Sequence, residues 1–536
     1  MSEARAGAPS AQSRSAAGDH NPWLIGLVLS IATFMLVLDT SIVNVALLDI
    51  AGDLSASADQ ATWIITTYLV ANAVIIPVSG WLANVIGRKR YYMLCVAIFT
   101  ASSLLCGLAW NLQSLIFFRI VQGLGGGGMA PSEQSILADT FPPAKRAQAF
   151  ALYGVAVILA PTVGPTLGGW ITDSYSWQWI FFINVPFGIM SLALVQWLLV
   201  EPQVLQEERR ARFQGGLKVD WAGFALVALT LGCLEIVLDR GQQDDWFSSD
   251  FIRGAALVSG LSFLLFLPWE FARKDPIVDV RLLFTRQFGT SFLVMTSVGA
   301  VLFGSTQILP QLLQTAFPYT AYLAGLVLMP GGIAMLMLMP VAGVVANFVQ
   351  PKYLIAFGMA VIALAMWHMT SLDGSANFGF FAWARVFQMV ALPFLFIPIN
   401  TAAYAGLAPG RTNQASALIN VARNLGGSIG ISLANTEIAQ RAQFHQARLV
   451  ENVFPSSLAY QQTARDAARY FTAQGVSAAH AQHLAVGWIG HMVQSQSILL
   501  AYIDVFWVSA LFAASMVPVV LLLLKPVDPH AAPVGH

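Results

Sequence analysis

Apolar residues occupy long, nearly unbroken windows along this chain, separated by short segments rich in Gly, Pro and charge. Fourteen windows have helix length, over roughly 23–45, 61–83, 91–110, 113–138, 147–171, 180–200, 219–238, 252–271, 288–312, 322–346, 352–371, 378–405, 414–434 and 498–524. About 20 mostly apolar residues in a helix cross the roughly 30 Å hydrocarbon layer of a bilayer. The pattern therefore predicts an all-α membrane protein with fourteen transmembrane helices.

Composition sharpens this reading. Hydrophobic residues make up 57% of the 536 and charged ones 10%, against about 25% charged in an ordinary soluble domain. Net charge is zero, so no acidic or basic partner follows from the total, and nothing points to nucleic acid. Location is informative instead. Lys and Arg stay on the side from which a chain is inserted. With the N-terminus inside, the inner loops hold Arg88, Lys89, Arg90, Lys145, Arg146, Arg209, Arg210, Arg212, Lys218, Arg273, Lys274, Arg281, Arg286, Lys352 and Arg411, with Lys525 in the tail. The outer loops instead carry Asp49, Asp53 and Asp59, then Asp239, Asp244, Asp245 and Asp250 beside Arg240 and Arg253. Both termini are expected in the cytoplasm. Residues 1–22 lack the pattern of a removable signal peptide and read as a disordered cytoplasmic tail. Cys95, Cys106 and Cys233 have no metal-ligand spacing, so neither disulfide framework nor metal is expected.

The chain repeats itself. Pro143, Lys145, Gln148, Ala149, Ala151, Leu152 and Gly164, shifted by 266 residues, fall on Pro409, Arg411, Gln414, Ala415, Ala417, Leu418 and Gly430. The same shift carries Arg119 onto Arg385 and Gln122 onto Gln388, and a shift of 263 carries Gly80, Ala83, Asn84 and Lys89 onto Gly343, Ala346, Asn347 and Lys352. Two homologous six-helix halves are expected, residues 23–200 and 288–524. Residues 201–287 form linkers with two inserted helices that have no counterpart, and 525–536 a cytoplasmic tail. Rocking one half against the other alternates access to a midplane site, as in many secondary transporters.

Several intramembrane groups carry candidate chemistry. A carboxylate in hydrocarbon is costly and functional by default. Rising 1.5 Å per residue from Trp23, the first helix puts Asp39 about 24 Å up; the fourth, descending from Leu112, puts Arg119 about 10 Å down, at comparable depth. An Asp beside a permanent cation stays ionised until substrate or a conformational change disturbs the pair, as proton coupling requires; a static ion pair is the alternative. Glu133 lies about 21 Å deeper, after Gly125 to Gly128 and Pro131, where the helix should soften and admit backbone or ligand. It could bind cations or carry a proton, or simply reach the inner interface. The basic loop Gly80, Asn84, Gly87, Arg88, Lys89, Arg90 could latch the halves or merely obey the charge rule. Gly164, Pro165, Gly168 and Gly169 favour close packing and a kink. Residues taken for a substrate cavity are Asn44, Gln122, Met129, Phe303, Gln311, Arg385 and Arg423, the last of which could instead bond neighbouring carbonyls. The segment 436–497 is Ala- and Gln-rich, outside the membrane, and suits a helical hairpin.

These motifs together resemble a known family. The 80–90 loop is similar to the major facilitator signature, with Asn84 where an Asp is usual. Leu38 to Leu47, Arg119-Ile120-Val121-Gln122-Gly123, Gly164-Pro165-Thr166-Leu167-Gly168-Gly169 and Trp179 to Pro186 resemble the fourteen-spanner drug:proton antiporters, especially their EmrB-like branch of Gram-negative permeases. The resemblance covers residues 23 to 524. It implies a major facilitator fold, two pseudo-symmetric six-helix bundles plus two inserted helices, and proton-coupled multidrug efflux across a bacterial inner membrane. Asp39, Arg119 and Glu133 would couple protons; the 164–169 motif would favour export. A periplasmic adaptor and outer-membrane channel would dock through 436–497, for which a plain solvated loop is the alternative.

No phosphate loop, His-Glu-x-x-His pair or nucleophile elbow occurs. An enzyme is not expected, nor a cofactor. A proton-coupled nutrient importer or a non-transporting membrane scaffold are the competing readings.

Overall fold

The computed structural model describes residues 21–200, 220–273, 276–405, 407 and 411–526. Nearly all of the expected N-terminal tail, the linker cations Arg209, Arg210, Arg212, Lys218 and Lys274, and most of the C-terminal tail lie outside the described residues. The helices of the first half are α1 (Pro22–Asp53), α2 (Ala58–Ile86), α3 (Arg88–Gly107), α4 (Leu112–Thr140), α5 (Pro143–Ser174), the short α6 (Trp179–Phe182) and α7 (Asn184–Leu198). The inserted pair is α8 (Trp221–Arg240) and α9 (Asp250–Ala272). There follow α10 (Arg286–Thr315), α11 (Ala321–Val345), α12 (Pro351–Met369), α13 (Phe378–Ala391), α14 (Pro393–Tyr404), α15 (Thr412–Val450), α16 (Leu458–Ala473) and α17 (Ala478–Leu523). No strand occurs among the described residues.

Local chemistry sets the helix ends. Asn21 accepts from the Trp23 amide and Pro22 occupies the first turn, where a missing N–H costs nothing. Ser57 with Gln60 and Asn111 with Ser114 close reciprocal caps on α2 and α4. Gly87, at φ +99°, makes the turn from α2 into α3, a backbone region glycine enters freely.

The same helix pairs touch in both halves. α1 packs on α5 as α10 packs on α15; α2 on α4 as α11 on α13; α3 on α7 as α12 on α17. The halves meet through α2 with α15 and α5 with α11, and α8 lies on α2 and also reaches α15. Charged and amide groups turn inward, while the outward faces are apolar: Leu257, Leu261 and Leu264 of α9 are 61–67% exposed. Such a surface suits lipid.

Among the described residues, eleven helices are long and apolar enough to cross a membrane, twelve if the bent halves of α5 count as one span. Fourteen were expected. The other two, α4 and α15, are helices of 29 and 39 residues whose polar load lowers their hydropathy. Arg119, Gln122 and Glu133 weigh on α4, and Asn413, Gln414, Asn420 and Arg423 on α15. Both are enclosed by other helices, so these groups meet protein rather than lipid.

The 436–497 segment is helical, and its first and last stretches are continuous with the membrane helices on either side. α15 runs on past the expected end at 434, α17 begins before the expected start at 498, and α16 packs on α17. Ala, Gln and Arg are strong helix formers, and nothing stops either helix at the interface. His445 Nε2 contacts Asp504 Oδ2 at 2.8 Å, pinning the extension of α15 to α17.

Candidate functional site

The buried charges of the first half form one network. Asp39 of α1 is 1% exposed and Arg119 of α4 fully buried. Arg119 Nη1 donates to Asp39 Oδ2 at 2.6 Å. Gln122, one turn further along α4, donates through Nε2 to Asp39 Oδ1 at 3.0 Å and accepts from Arg119 Nη1 at 2.8 Å. Asn184, the first residue of α7, donates to Asp39 Oδ1 at 2.8 Å and to Ser103 Oγ at 3.0 Å. Arg119 Nε reaches the Ile64 carbonyl of α2 at 3.3 Å, and its guanidinium lies 4.2 Å from the Tyr68 ring centroid. The depth argument thus ends in direct contact between Asp39 and Arg119. Every donor aimed at Asp39 comes from another helix, and all are satisfied by an ionised carboxylate. A protonated acid presents one donor of its own, which these N–H groups cannot accept.

Glu133 is also fully buried, and no aqueous interface touches it. It accepts from Thr33 of α1, and Tyr92 of α3 donates to Oε1 at 3.1 Å. The glycines before it leave α4 continuous and let neighbours close in. A Cβ on Gly127 would sit 2.8 Å from the Asn72 carbonyl of α2, and one on Gly125 would sit 2.9 Å from the Cys95 carbonyl of α3. The run therefore admits backbone, as expected, with helices α2 and α3 filling the space. Met129 is fully buried within this packing.

At the end of the bundle carrying Arg88, Lys89 and Arg90, Arg88 pairs with Asp139 of α4 and Lys89 Nζ donates to the Gln196 carbonyl of α7 at 2.7 Å. Both partners belong to the first half; Arg90 is exposed. At this end, neutral groups bridge the seam between the two halves. Asn413 of α15 donates to Asn84 and accepts from Ser135; Ser416 donates to the Pro131 carbonyl at 2.6 Å, and Asn420 to Gln134 Oε1 at 2.8 Å. Gly80 permits this approach, since its Cβ would lie 2.8 Å from the Asn413 carbonyl.

The 164–169 motif faces the Asp39 segment. A Cβ on Gly164 would meet Ser41 Cβ at 2.6 Å and one on Gly168 would meet Ile42 Cγ2 at 3.2 Å, whereas Gly169 has only Val45 Cγ1 at 4.0 Å. α5 bends by 42° between Pro161 and Val163, N-terminal to Pro165, where a proline ring crowds the carbonyl four residues back.

The remaining candidates are scattered. Asn44 and Gln311 are exposed, and Phe303 packs against Gly427. Arg385 and Gln388 are buried in the second half, 2.7 Å apart. Arg423 is half-buried, donating to Tyr153 of α5 at 3.4 Å across the seam.

Sequence reasoning passed over Asn184, visible only as the amide inside Phe181-Phe182-Ile183-Asn184-Val185-Pro186. It also passed over Glu235 on the inserted helix α8 and read Asp239 as part of an outer loop. Glu235 of α8 accepts from Ser428 of α15 at 2.7 Å, and Asp239 one turn on accepts from Thr66 of α2. Both carboxylates stand out in an apolar window, but only packing reveals that they tie α8 to both halves. Among the described residues no cluster of three or more His, Cys, Asp or Glu could hold a metal ion.

Comparison with known proteins agrees with this geometry. Residues 29–431 match the family described as Major Facilitator Superfamily. The chain is 38% identical to the multidrug export protein EmrB of Escherichia coli K12, over 91% of this chain and 92% of that one. It is 34% identical to the fatty acid resistance protein FarB of Neisseria gonorrhoeae, over 96% and 97%. The solved proton:xylose symporter XylE shares the fold at a TM-score of 0.58 and 14% identity, over 93% of this chain and 96% of XylE. With the family matched over most of its length and EmrB over nearly all of it, this chain belongs to the Major Facilitator Superfamily as an EmrB-like permease.

Proposed function

We propose that this multi-pass membrane transporter exports amphiphilic drugs in exchange for protons, and that Asp39 carries the coupled proton. Drug export is the activity in the names of its EmrB relatives, and the FarB name extends the class to fatty acids. The supporting observation for coupling is the threefold acceptance by Asp39, from Arg119, Gln122 and Asn184. Because these donors sit on α4 and α7 while the carboxylate sits on α1, protonation cannot occur without relaxing contacts between helices. Breaking a buried pair by losing one partner costs about 3–5 kcal/mol, a large share of the about 5.5 kcal/mol that inverts a 1:99 population. Glu133 is a second proton carrier in this reading, and Arg119 the fixed countercharge.

All fourteen apolar windows cross the bacterial inner membrane, with both termini and the basic end in the cytoplasm. The halves are 23–200 and 288–524, with α8 and α9 inserted between them. The α15, α16 and α17 extensions over 436–497 then project into the periplasm, where we place the docking surface for an adaptor leading to an outer-membrane channel.

The test uses everted vesicles holding an imposed proton gradient, acidic inside. Drug addition should release the gradient, and Asp39→Asn vesicles should not respond. Nutrient-driven proton movement with no response across a broad drug panel would favour an importer, and transport unchanged in Asp39→Asn would overturn the assignment of Asp39.

A further inference from the structure

The internal repeat makes the second half a copy of the Asp39 site with its acid removed. A shift of 266 residues carries Asp39, Thr40, Arg119 and Gln122 onto Ser305, Thr306, Arg385 and Gln388. The geometry follows. Arg385 Nη1 donates to Gln388 Oε1 at 2.7 Å, as Arg119 does to Gln122 at 2.8 Å. Gln388 Nε2 donates to Ser305 Oγ, as Gln122 Nε2 does to Asp39 Oδ1. A hydroxyl therefore stands where the first half has a carboxylate.

The arginine has not been lost with its partner. Arg385 is 5% exposed, and besides Gln388 its Nη1 has only the Thr306 hydroxyl, at 3.1 Å. Its Nε is buried with no hydrogen-bond partner, and among the described residues it makes no ion pair. The stem is fixed by α11, where a Cβ on Gly331 would lie 2.7 Å from Arg385 Cγ. A guanidinium keeps its charge at any ordinary pH, and an unpaired buried charge is strongly destabilising. Among the described residues, nothing in the second half supplies the countercharge. In the first half, the same Arg and Gln hold a singly charged carboxylate.

We infer that Arg385, Gln388, Ser305 and Thr306 form a binding site for a monovalent anion, either a free halide or the carboxylate head of an amphiphile. The site lies two turns from the Phe378 end of α13, the end opposite Arg88 to Arg90. The anion completes the second half as Asp39 completes the first.

The test is equilibrium binding of radiolabelled chloride and of octanoate to the purified full chain in nanodiscs, in gluconate-free, halide-free buffer. The wild type should bind one anion saturably. Arg385→Gln should weaken it at least tenfold. Ser305→Asp, which supplies a resident carboxylate beside Arg385, should abolish it while raising thermal stability above that of the wild type measured without anion. Chloride binding without competition by octanoate would identify a free-halide site; octanoate binding that displaces chloride would identify a carboxylate-head site. Absence of saturable binding of either probe to the wild type, or binding unchanged in Ser305→Asp, would overturn the inference; the second arm holds even where Arg385→Gln fails to fold.

Discussion

Asn184 holds Asp39 from a helix that begins 145 residues later, its amide donating to Asp39 Oδ1 at 2.8 Å. This contact joins the first span of the half to the last, beside the break between α6 and α7 at Ile183. With Arg119 and Gln122 it makes the charge state of one side chain a property of three helices. Its consequences can be separated from simple loss of an ion pair.

Asp39→Asn should abolish proton-driven exchange and also lower stability, because Arg119 is left buried without its partner, at a cost of about 3–5 kcal/mol. Asp39→Asn combined with Arg119→Gln removes both charges. That double variant should regain most of the lost stability and none of the exchange. Thermal unfolding in detergent together with vesicle proton release measures both; recovery of exchange in the double variant would mean that the pair is structural.

The seam at the basic end gives a second prediction. Asn84 meets Asn413 as a neutral amide pair next to the first turn of α15. Asn84→Asp places a carboxylate there, where hydrogen bonds to a charged group contribute about 1.5–3 kcal/mol, against about 0.5–1.5 for neutral ones, and the helix N-terminus adds attraction. Closure at this end should tighten and turnover should fall, on the order of tenfold for each 1.4 kcal/mol by which only the closed state is stabilised. Spin-label distances between α2 and the start of α15 should shift to the short population, and transport rate should drop with them.

The glycines of α5 allow a discriminating pair of substitutions. Gly164→Ala forces a methyl to 2.6 Å from Ser41 Cβ, two residues from Asp39, whereas Gly169→Ala enters space whose nearest atom is 4.0 Å away. Overpacking of this kind costs about 1–3 kcal/mol. The first variant should lose transport at least several-fold with reduced thermal stability; the second should match the wild type in both. Equal effects in a drug-efflux assay would indicate that the motif acts other than by contact with α1.

How much of this was legible beforehand depends on whether a property is local. Asp39 and Arg119 could be matched because helix rise alone fixes depth in a bilayer. The 266-residue repeat likewise exposed the Arg385 and Gln388 copy. Asn184 was hidden because an amide in an apolar run gives no hint of its partner. α4 and α15 carry enough charged and amide side chains to lower their hydropathy; other helices shield those groups, and shielding is a tertiary fact. Met129 was read as lining a cavity and the glycines around it as admitting backbone or ligand; facing backbones take that space, a choice no count of small residues could decide. The run of α15 past residue 434 and the start of α17 before residue 498 follow from helix propensity, which the search for apolar windows does not weigh.

Glu133 differs from Asp39 in the chemistry that holds it, and this supplies the last prediction. Its partners are the hydroxyls of Thr33 and Tyr92, and no ion pair to it occurs among the described residues. Glu133→Gln preserves size and leaves an amide oxygen for one of those hydroxyls, so the fold should survive with little loss of thermal stability. Proton-driven efflux should nonetheless fall at least tenfold, equivalent to about 1.4 kcal/mol of barrier. Exchange of labelled for unlabelled drug with no proton gradient needs no net proton transfer and should persist. Tyr92→Phe removes one donor while retaining the acid, so it should reduce efflux less than Glu133→Gln does. Retained proton-driven efflux in Glu133→Gln would assign this carboxylate to packing alone and leave Asp39 as the sole carrier in the first half.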